Sequence, residues 1–287
     1  RDATKRGLKR IMTLDGAYGT RNYTVKDLRD QKGHKVLVET LPFSVEEAVA
    51  AEEAGIDTMK VRFDPSHPDL AAAIRRAAPN TFMAFSVPLV AAASEADAVR
   101  LAYDAMAMGA DAIMCQWSPR FVSAAAEGGV PVQGHAGLVP RKRTWTGGLR
   151  AVGKTLEEAM WVYQEIKALE DAGAYAVEIE VIPEKLLTEI SKRTTLLTSS
   201  IGAGSGGDIQ FLFAEDILGN NPPPYPRHSK QYRQLYKMTQ EMQAERVTGF
   251  KEFIDDVQQS RFPEPIHVID APDDLIETFT HAVDHAE

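Results

Sequence analysis

The sequence predicts an α/β chain of the (β/α)8 TIM-barrel type with extra C-terminal helices. Three observations carry that prediction. Three segments share one design: "AAEEAGIDTMKV" (50–61), "AMAMGADAIMC" (105–115) and "ALEDAGAYAVEI" (168–179). Each closes an alanine-rich helix at a glycine, which tolerates the left-handed C-cap conformation, and then enters an apolar strand. Eight strand-like segments alternate with amphipathic helical ones, the order of a parallel sheet covered by helices. No Gly-x-Gly-x-x-Gly follows the first strand, which disfavours the rival open, doubly wound sheet.

In chain order, residues 1–32 are polar with several basic groups and are expected to form an arm or cap. The barrel core is expected over 33–228. Its strands are predicted near 35–40, 58–62, 81–87, 112–117, 130–136, 176–181, 195–200 and 213–218, each an apolar or period-two run. Helices are predicted near 44–54, 68–78, 94–109, 119–127, 155–172 and 183–193, with a short one near 207–213. The proline-rich "NNPPPYPRHSK" leads into 229–287, expected as a helical extension packed on the barrel or on a partner subunit, so a homo-oligomer is anticipated.

Composition narrows the function classes. A hydrophobic fraction of 44% with 25% charged residues describes a globular chain. The net charge of -9 argues against nucleic-acid binding, which needs a basic face. Charges or glycines interrupt every apolar run before the roughly 20 residues that cross a bilayer, so no membrane partner is expected. The single cysteine, Cys115, excludes an intramolecular disulfide and fits a reducing compartment. With no signal-like apolar segment at the start, the expectation is a cytoplasmic protein acting on a small molecule.

Chemistry concentrates at strand ends, where barrel enzymes place catalytic groups. In Ala176-Val-Glu-Ile-Glu-Val181, period two sets Glu178 and Glu180 on one face and the apolar residues on the other. The apolar face must meet the helices, so both carboxylates should point inward, where each needs a cation, a proton or hydrogen bonds. The structural alternative places one glutamate at the solvated mouth and pairs the other with a basic neighbour. Gln133 and His135 share a face by the same rule, and the glycines beside His135 permit close backbone approach. The loop of "TSSIGAGSGGDIQ" (198–210), with Gly202 and Gly204, is either a backbone nest for an anion or a flexible turn. "VGKT" (152–155) lacks the upstream glycine of a P-loop. Asp64 and His67 in "FDPSH" are three apart, as a weak metal pair or as a turn and helix cap.

From about residue 33 to 240 the chain resembles ketopantoate hydroxymethyltransferase, a family of the phosphoenolpyruvate/pyruvate-binding barrel superfamily. The resemblance rests on "VPVQGHAGLVP" (130–140), "ALEDAGAYAVEIEVIP" (168–183), "IGAGSGGDIQ" (201–210) and "YPRHSKQY" (225–232), in the family's order and spacing. It implies a homo-oligomeric (β/α)8 barrel in which Mg2+ holds a 2-oxo acid as its enolate and methylenetetrahydrofolate delivers formaldehyde. It places Glu180 at the catalytic glutamate and His135 at the active-site histidine, and Asp208 also matches. The metal ligands depart from it. Arg62-Phe-Asp64 stands where the family has Gly-Asp-Ser, which offsets Asp64 by one residue. Ser86 replaces an aspartate, and Met114-Cys-Gln116 replaces Lys-x-Glu. Glu178 replaces an apolar residue.

Hard Mg2+ seeks carboxylate oxygens, so the ordinary ion site is expected to be weakened. Either Arg62 or Lys60 supplies the missing positive charge, or Glu178, with Asp64 as the other weak candidate, rebuilds a displaced metal site. The two alternatives predict opposite metal dependence. The expected function is an enzyme that makes or breaks a C–C bond next to the carbonyl of a small 2-oxo acid. Glu180 and His135 would be catalytic, and Ser86, Gln116, Asp64, Arg62, Gln133, Gly202 and Gly204 would bind substrate. A lyase or aldolase acting on another acid and a non-catalytic small-molecule-binding barrel are the alternatives.

Overall fold

The computed structural model describes residues 7–285. The chain divides into two compact units, one running to Gln234 and the other starting at Leu235. The first unit opens with a hairpin, β1 (Lys9–Met12) and β2 (Tyr18–Arg21), followed by helix α1 (Val25–Asp30). The barrel alternates from there: β3 (Leu37–Leu41), α2 (Val45–Ala54), β4 (Thr58–Arg62), α3 (Asp69–Ala77), β5 (Phe82–Ser86), α4 (Glu95–Ala107), β6 (Ala112–Met114) and α5 (Pro119–Glu127). It continues with β7 (Val132–Gly137), α6 (Leu156–Asp171), β8 (Ala176–Glu180), α7 (Glu184–Ser191), β9 (Leu197–Ile201), β10 (Ile209–Phe213) and α8 (Ala214–Leu218). Strands β3 to β10 are all parallel and close on themselves through the β10–β3 pairing.

Local chemistry sets the helix boundaries. Ser44, Ser94 and Thr155 each accept the backbone N–H three residues on, satisfying one of the free donors of a helix start. Gly55 ends α2 at φ 84°, a conformation that a side chain would strain.

Period two sorts the strands into two faces. Met59, Val61, Met83, Phe85, Ile113, Val177 and Ile179 point outward and join Ile74, Leu101, Val122, Ile166 and Leu187 of the helices in the main core. The alternate residues point inward. Those at the strand starts, Leu37, Phe82, Ala112, Ala176, Leu197 and Ile209, form an apolar floor with Tyr175, and Leu28 of α1 packs into it. Helix α1 therefore stops the N-terminal end of the barrel. Arg21 fastens the preceding hairpin through a buried two-oxygen ion pair with Asp111, at 2.7 and 2.8 Å. Residues 1–6 of the expected arm lie outside the described residues.

The eighth strand falls earlier than expected. Ile209–Phe213 is the strand and Ala214–Leu218 the helix, the reverse of the order predicted from 207 to 218. The cause is the face rule: Ile209 and Phe211 fill the interior, whereas Ala-Glu-Asp-Ile-Leu has too few large apolar residues for a barrel position.

The second unit contains α9 (Leu235–Gln258) and α10 (Asp273–Asp284), and neither helix has a buried residue. Met238, Met242, Phe250, Phe253, Ile254 and Val257 are exposed along α9. No helix among the described residues is long and apolar enough to cross a membrane.

Candidate active site

Above the apolar floor the barrel interior turns polar. Glu39 of β3, Lys60 of β4, Glu178 of β8 and Ser199 of β9 all point inward. The Lys60 side chain is 1% exposed. Its ammonium lies 2.5 Å from Glu178 Oε2 and 3.0 Å from Glu39 Oε2, with the Phe211 ring centroid at 3.7 Å. Glu39 also accepts hydrogen bonds from the hydroxyls of Thr58 (3.1 Å) and Ser199 (2.7 Å). Burial opposes both charges, but proximity outweighs it. The two carboxylates and their hydrogen bonds hold the Lys60 ammonium above its ordinary range. Burial alone would raise Glu178, yet Lys60 and His135 together hold it below the ordinary carboxylate range. The pair is ionised on both sides because each charge offsets the burial that would otherwise neutralise the other.

One layer higher, at the C-terminal ends of the strands, β7 and β8 pair in register, His135 opposite Glu178 and Gly137 opposite Glu180. His135 Nε2 lies 3.2 Å from Glu180 Oε2 and 3.8 Å from Glu178 Oε1. Neither approach has hydrogen-bond alignment, so this buried nitrogen has no hydrogen-bond partner among the described residues. On the other side of the ring, Gln116 Nε2 is 3.4 Å from Nδ1. Nε2 faces carboxylates and Nδ1 faces an amide N–H, an arrangement that favours the tautomer with its hydrogen on Nε2. A buried donor without an aligned protein partner is available to a ligand.

The other residues singled out from the sequence divide by position. Ser86 ends β5 beside Arg62 at the end of β4, and the Arg62 guanidinium stacks over the Phe43 ring at 4.7 Å. Arg62 is exposed at the mouth. Gln133 lies beneath His135 on the inward face, fully buried, with both amide atoms unpartnered among the described residues. Asp64 does not join them. Strand β4 ends at Arg62, and the Asp64 carboxylate, 59% exposed, accepts the Ser66 N–H and faces His67 in a local turn. In the glycine loop, Gly202 has φ 63° and lies against Val181 and His228. Gly204 is packed against Glu184, whose carboxylate takes both the N–H and the hydroxyl of Ser205. This part of the loop is held by an acid of its own chain instead of lying open to an anion.

Two neighbours of the site went unread in the sequence. Glu39 could have been found from period two in Leu-Val-Glu-Thr-Leu, which puts it on the inward face. Glu165, on α6, has no such signal. It lines a cavity of about 390 Å³ that opens beside Gly137, together with Lys142, Trp145 and Trp161. Burial pushes its carboxyl up to about 6, against the pull of Lys142 and His135. Cys115 is not a nucleophile here, since burial raises its thiol to about 12.

A closed parallel barrel that brings acid–base groups together at the C-terminal ends of its strands is an enzyme architecture. Residues 44–265 match the family model described as ketopantoate hydroxymethyltransferase, and the chain belongs to that family. It is 30% identical over 286 residues to 3-methyl-2-oxobutanoate hydroxymethyltransferase 1 of Methylibium petroleiphilum, covering 91% of this chain and 94% of that one. The enzyme of the same name from Thermus thermophilus is 32% identical over 265 residues, with coverage of 85% and 98%. Among solved structures, a putative lyase/mutase from Burkholderia cenocepacia superposes with a TM-score of 0.52 at 9% identity, covering 66% of this chain and 80% of that one. That likeness concerns the barrel fold alone.

A divalent ion is implied by the family resemblance, and its fit can be tested on the donors. His135, Glu178 and Glu180 can bring one ligand atom each within 4.8 Å of one another. This set mixes an imidazole with two carboxylates, one of which is already bound by the Lys60 ammonium. Mg2+ prefers an all-oxygen octahedral shell. At the positions matching the family's ligands stand a hydroxyl (Ser86), an amide (Gln116) and an exposed turn (Asp64). The residues present do not fit Mg2+.

Proposed function

We propose that the protein makes or breaks a C–C bond next to the carbonyl of a small 2-oxo acid by way of its enolate. The observation that carries this reading is the His135–Glu180 pair at the strand ends, with the buried His135 Nε2 lacking an aligned partner. Glu180 is 15% exposed at the mouth and can meet a ligand. Its carboxylate takes the proton from C3 of the acid, the C–H electron pair forms the C2–C3 double bond, and the carbonyl π pair moves onto oxygen. The His135 Nε2–H donates to that oxygen as its charge develops, in a site where a fixed donor counts for more than in water. Arg62 docks the substrate carboxylate from the rim, with Ser86 and Gln116 lining the pocket.

In the forward direction the enolate C3 attacks the carbon of formaldehyde, which water releases from its one-carbon donor. The enolate oxygen pair re-forms the C2 carbonyl, the formaldehyde C=O π pair moves onto its own oxygen, and that oxygen takes the proton held by Glu180. The named activity of the relatives supports 3-methyl-2-oxobutanoate as the acid and a hydroxymethyl group as what it receives; methylenetetrahydrofolate as the donor is what the family resemblance implies. Run backwards, the same enolate is the product of a lyase or aldolase. The exposed apolar side chains of α9 support association with a second copy, and the single buried thiol suits the cytoplasm.

Proton–deuterium exchange at C3 of 3-methyl-2-oxobutanoate, followed by NMR, tests the reading. Exchange is expected without any one-carbon donor, and hydroxymethylated product on adding methylenetetrahydrofolate. Absence of exchange with this acid and with other small 2-oxo acids would overturn it.

A further inference from the structure

The mismatch with Mg2+ has a counterpart in the barrel interior. We infer that Lys60 is a built-in cation: its ammonium neutralises the carboxylates that a divalent ion would otherwise draw together, so that this site neither binds nor needs a metal ion. Three observations meet here. Glu178 is the member of the His135–Glu178–Glu180 trio that faces deepest into the barrel, and Lys60 holds one of its oxygens at 2.5 Å. The same ammonium reaches Glu39 at 3.0 Å, so two carboxylates share one cation. Its remaining face lies against the Phe211 ring, which accommodates a cation but cannot ligate a metal.

A divalent ion placed among the trio would sit close to a lysine ammonium sealed away from water, where like charges repel strongly. It would also have to compete with that ammonium for Glu178. Lys60 is too enclosed to touch substrate, and its three donor directions are already taken up by Glu39, Glu178 and the Phe211 face. It is a positioning residue. By fixing Glu178 in its ionised form on the Nε2 side of His135, it keeps a negative charge that favours the hydrogen on Nε2, where it can serve the substrate oxygen.

The catalytic arm of this inference rests on the enolate reading above, whereas the binding arm does not. Full-length protein is stripped with chelator and titrated with Mn2+, with the free ion followed by electron paramagnetic resonance. C3 exchange of 3-methyl-2-oxobutanoate is then measured with chelator and with Mn2+. The expected results are no Mn2+ bound at millimolar concentration and an exchange rate indifferent to chelator. Stoichiometric Mn2+ binding that is lost in His135→Gln, or exchange that requires the ion, overturns the inference. Exchange absent under both conditions sinks the enolate reading, while the titration still decides whether the site excludes metal. The variant Lys60→Met leaves Glu39 and Glu178 without their cation and is expected to acquire Mn2+ binding that Glu178→Gln removes again. A merely structural lysine would not produce that gain, so a folded Lys60→Met protein that still ignores Mn2+ counts against the inference. Should Lys60→Met fail to fold, the wild-type titration remains decisive.

Discussion

Replacing Lys60 by methionine removes the ammonium that bonds two buried carboxylates, Glu39 and Glu178. The side chain is 1% exposed, and Glu39 and Glu178 are only 3% and 6% exposed, so water cannot take over its role without opening the barrel. Deleting one partner of a buried ion pair costs about 3–5 kcal/mol, because the other charge is left uncompensated. Two stranded carboxylates put this variant at the upper end, about 5 kcal/mol. For a unit of this size each kcal/mol lowers the melting temperature by roughly 2–4 °C, so the expected fall is roughly 10–20 °C. Its pH dependence distinguishes charge from packing. In the wild type, Glu178 titrates below its ordinary 4.5, so its contribution is present above 4.5 and is lost as pH falls through the lower folded value. Lys60 titrates above 10.5, so its contribution is complete below 10.5 and is lost as pH rises through the higher folded value. In Lys60→Met, burial acts on Glu178 without the lysine to oppose it, so protonation relieves the strain and the deficit shrinks in mild acid. Thermal melts by circular dichroism at neutral pH and in mild acid read both effects. A drop of less than about 4 °C, or a deficit that is no smaller in acid, would refute the reasoning.

Other perturbations separate the remaining roles. Glu180→Gln removes the proposed base and is expected to slow C3 exchange by about 10²–10⁴-fold with little change in melting temperature; exchange at the wild-type rate would take Glu180 out of the mechanism. Arg62→Met is expected to raise KM for the 2-oxo acid by roughly tenfold or more while leaving kcat nearly unchanged, since the proposed carboxylate contact is one made equally in ground and transition states. Glu165→Gln removes a carboxyl whose folded value of about 6 lies above its ordinary 4.5, and the wild type therefore loses stability as pH rises between the two. The variant should gain on the order of 1–2 kcal/mol above that window and nothing below it, as read by urea unfolding at two pH values. Leu28→Ala, at the closed end of the barrel, is expected to cost about 2–5 kcal/mol in the same assay.

Much of the site was legible because strands impose a period of two. Glu178 and Glu180, and likewise Gln133 and His135, project inward as their alternation with Val177, Ile179, Val132 and Gly134 requires. Thr58, Lys60 and Arg62 obey the same rule, so the inward lysine was implied by its strand. Its partners were not, because the pairing of Lys60 with Glu39 and Glu178 depends on barrel closure and spans up to 118 residues of chain. The last strand was misplaced because "FLFAEDIL" carries apolar residues on both sides of the true boundary at Phe213. Asp208, which matches the family's glycine-loop segment, bonds Lys32, Ser191 and Thr198 at the start of β10. A motif preserves a residue without saying which end of the barrel it serves.

The stopper formed by Leu28 and the apolar floor gives the barrel one open end. Whatever reaches His135 and Glu180 enters and leaves at the C-terminal rim, so of two reactants the first bound lies beneath the second. For the proposed reaction that favours a compulsory sequence in turnover: acid first, one-carbon donor second, and release in the reverse order. Steady-state product inhibition would then be competitive only for the pair that shares the free enzyme.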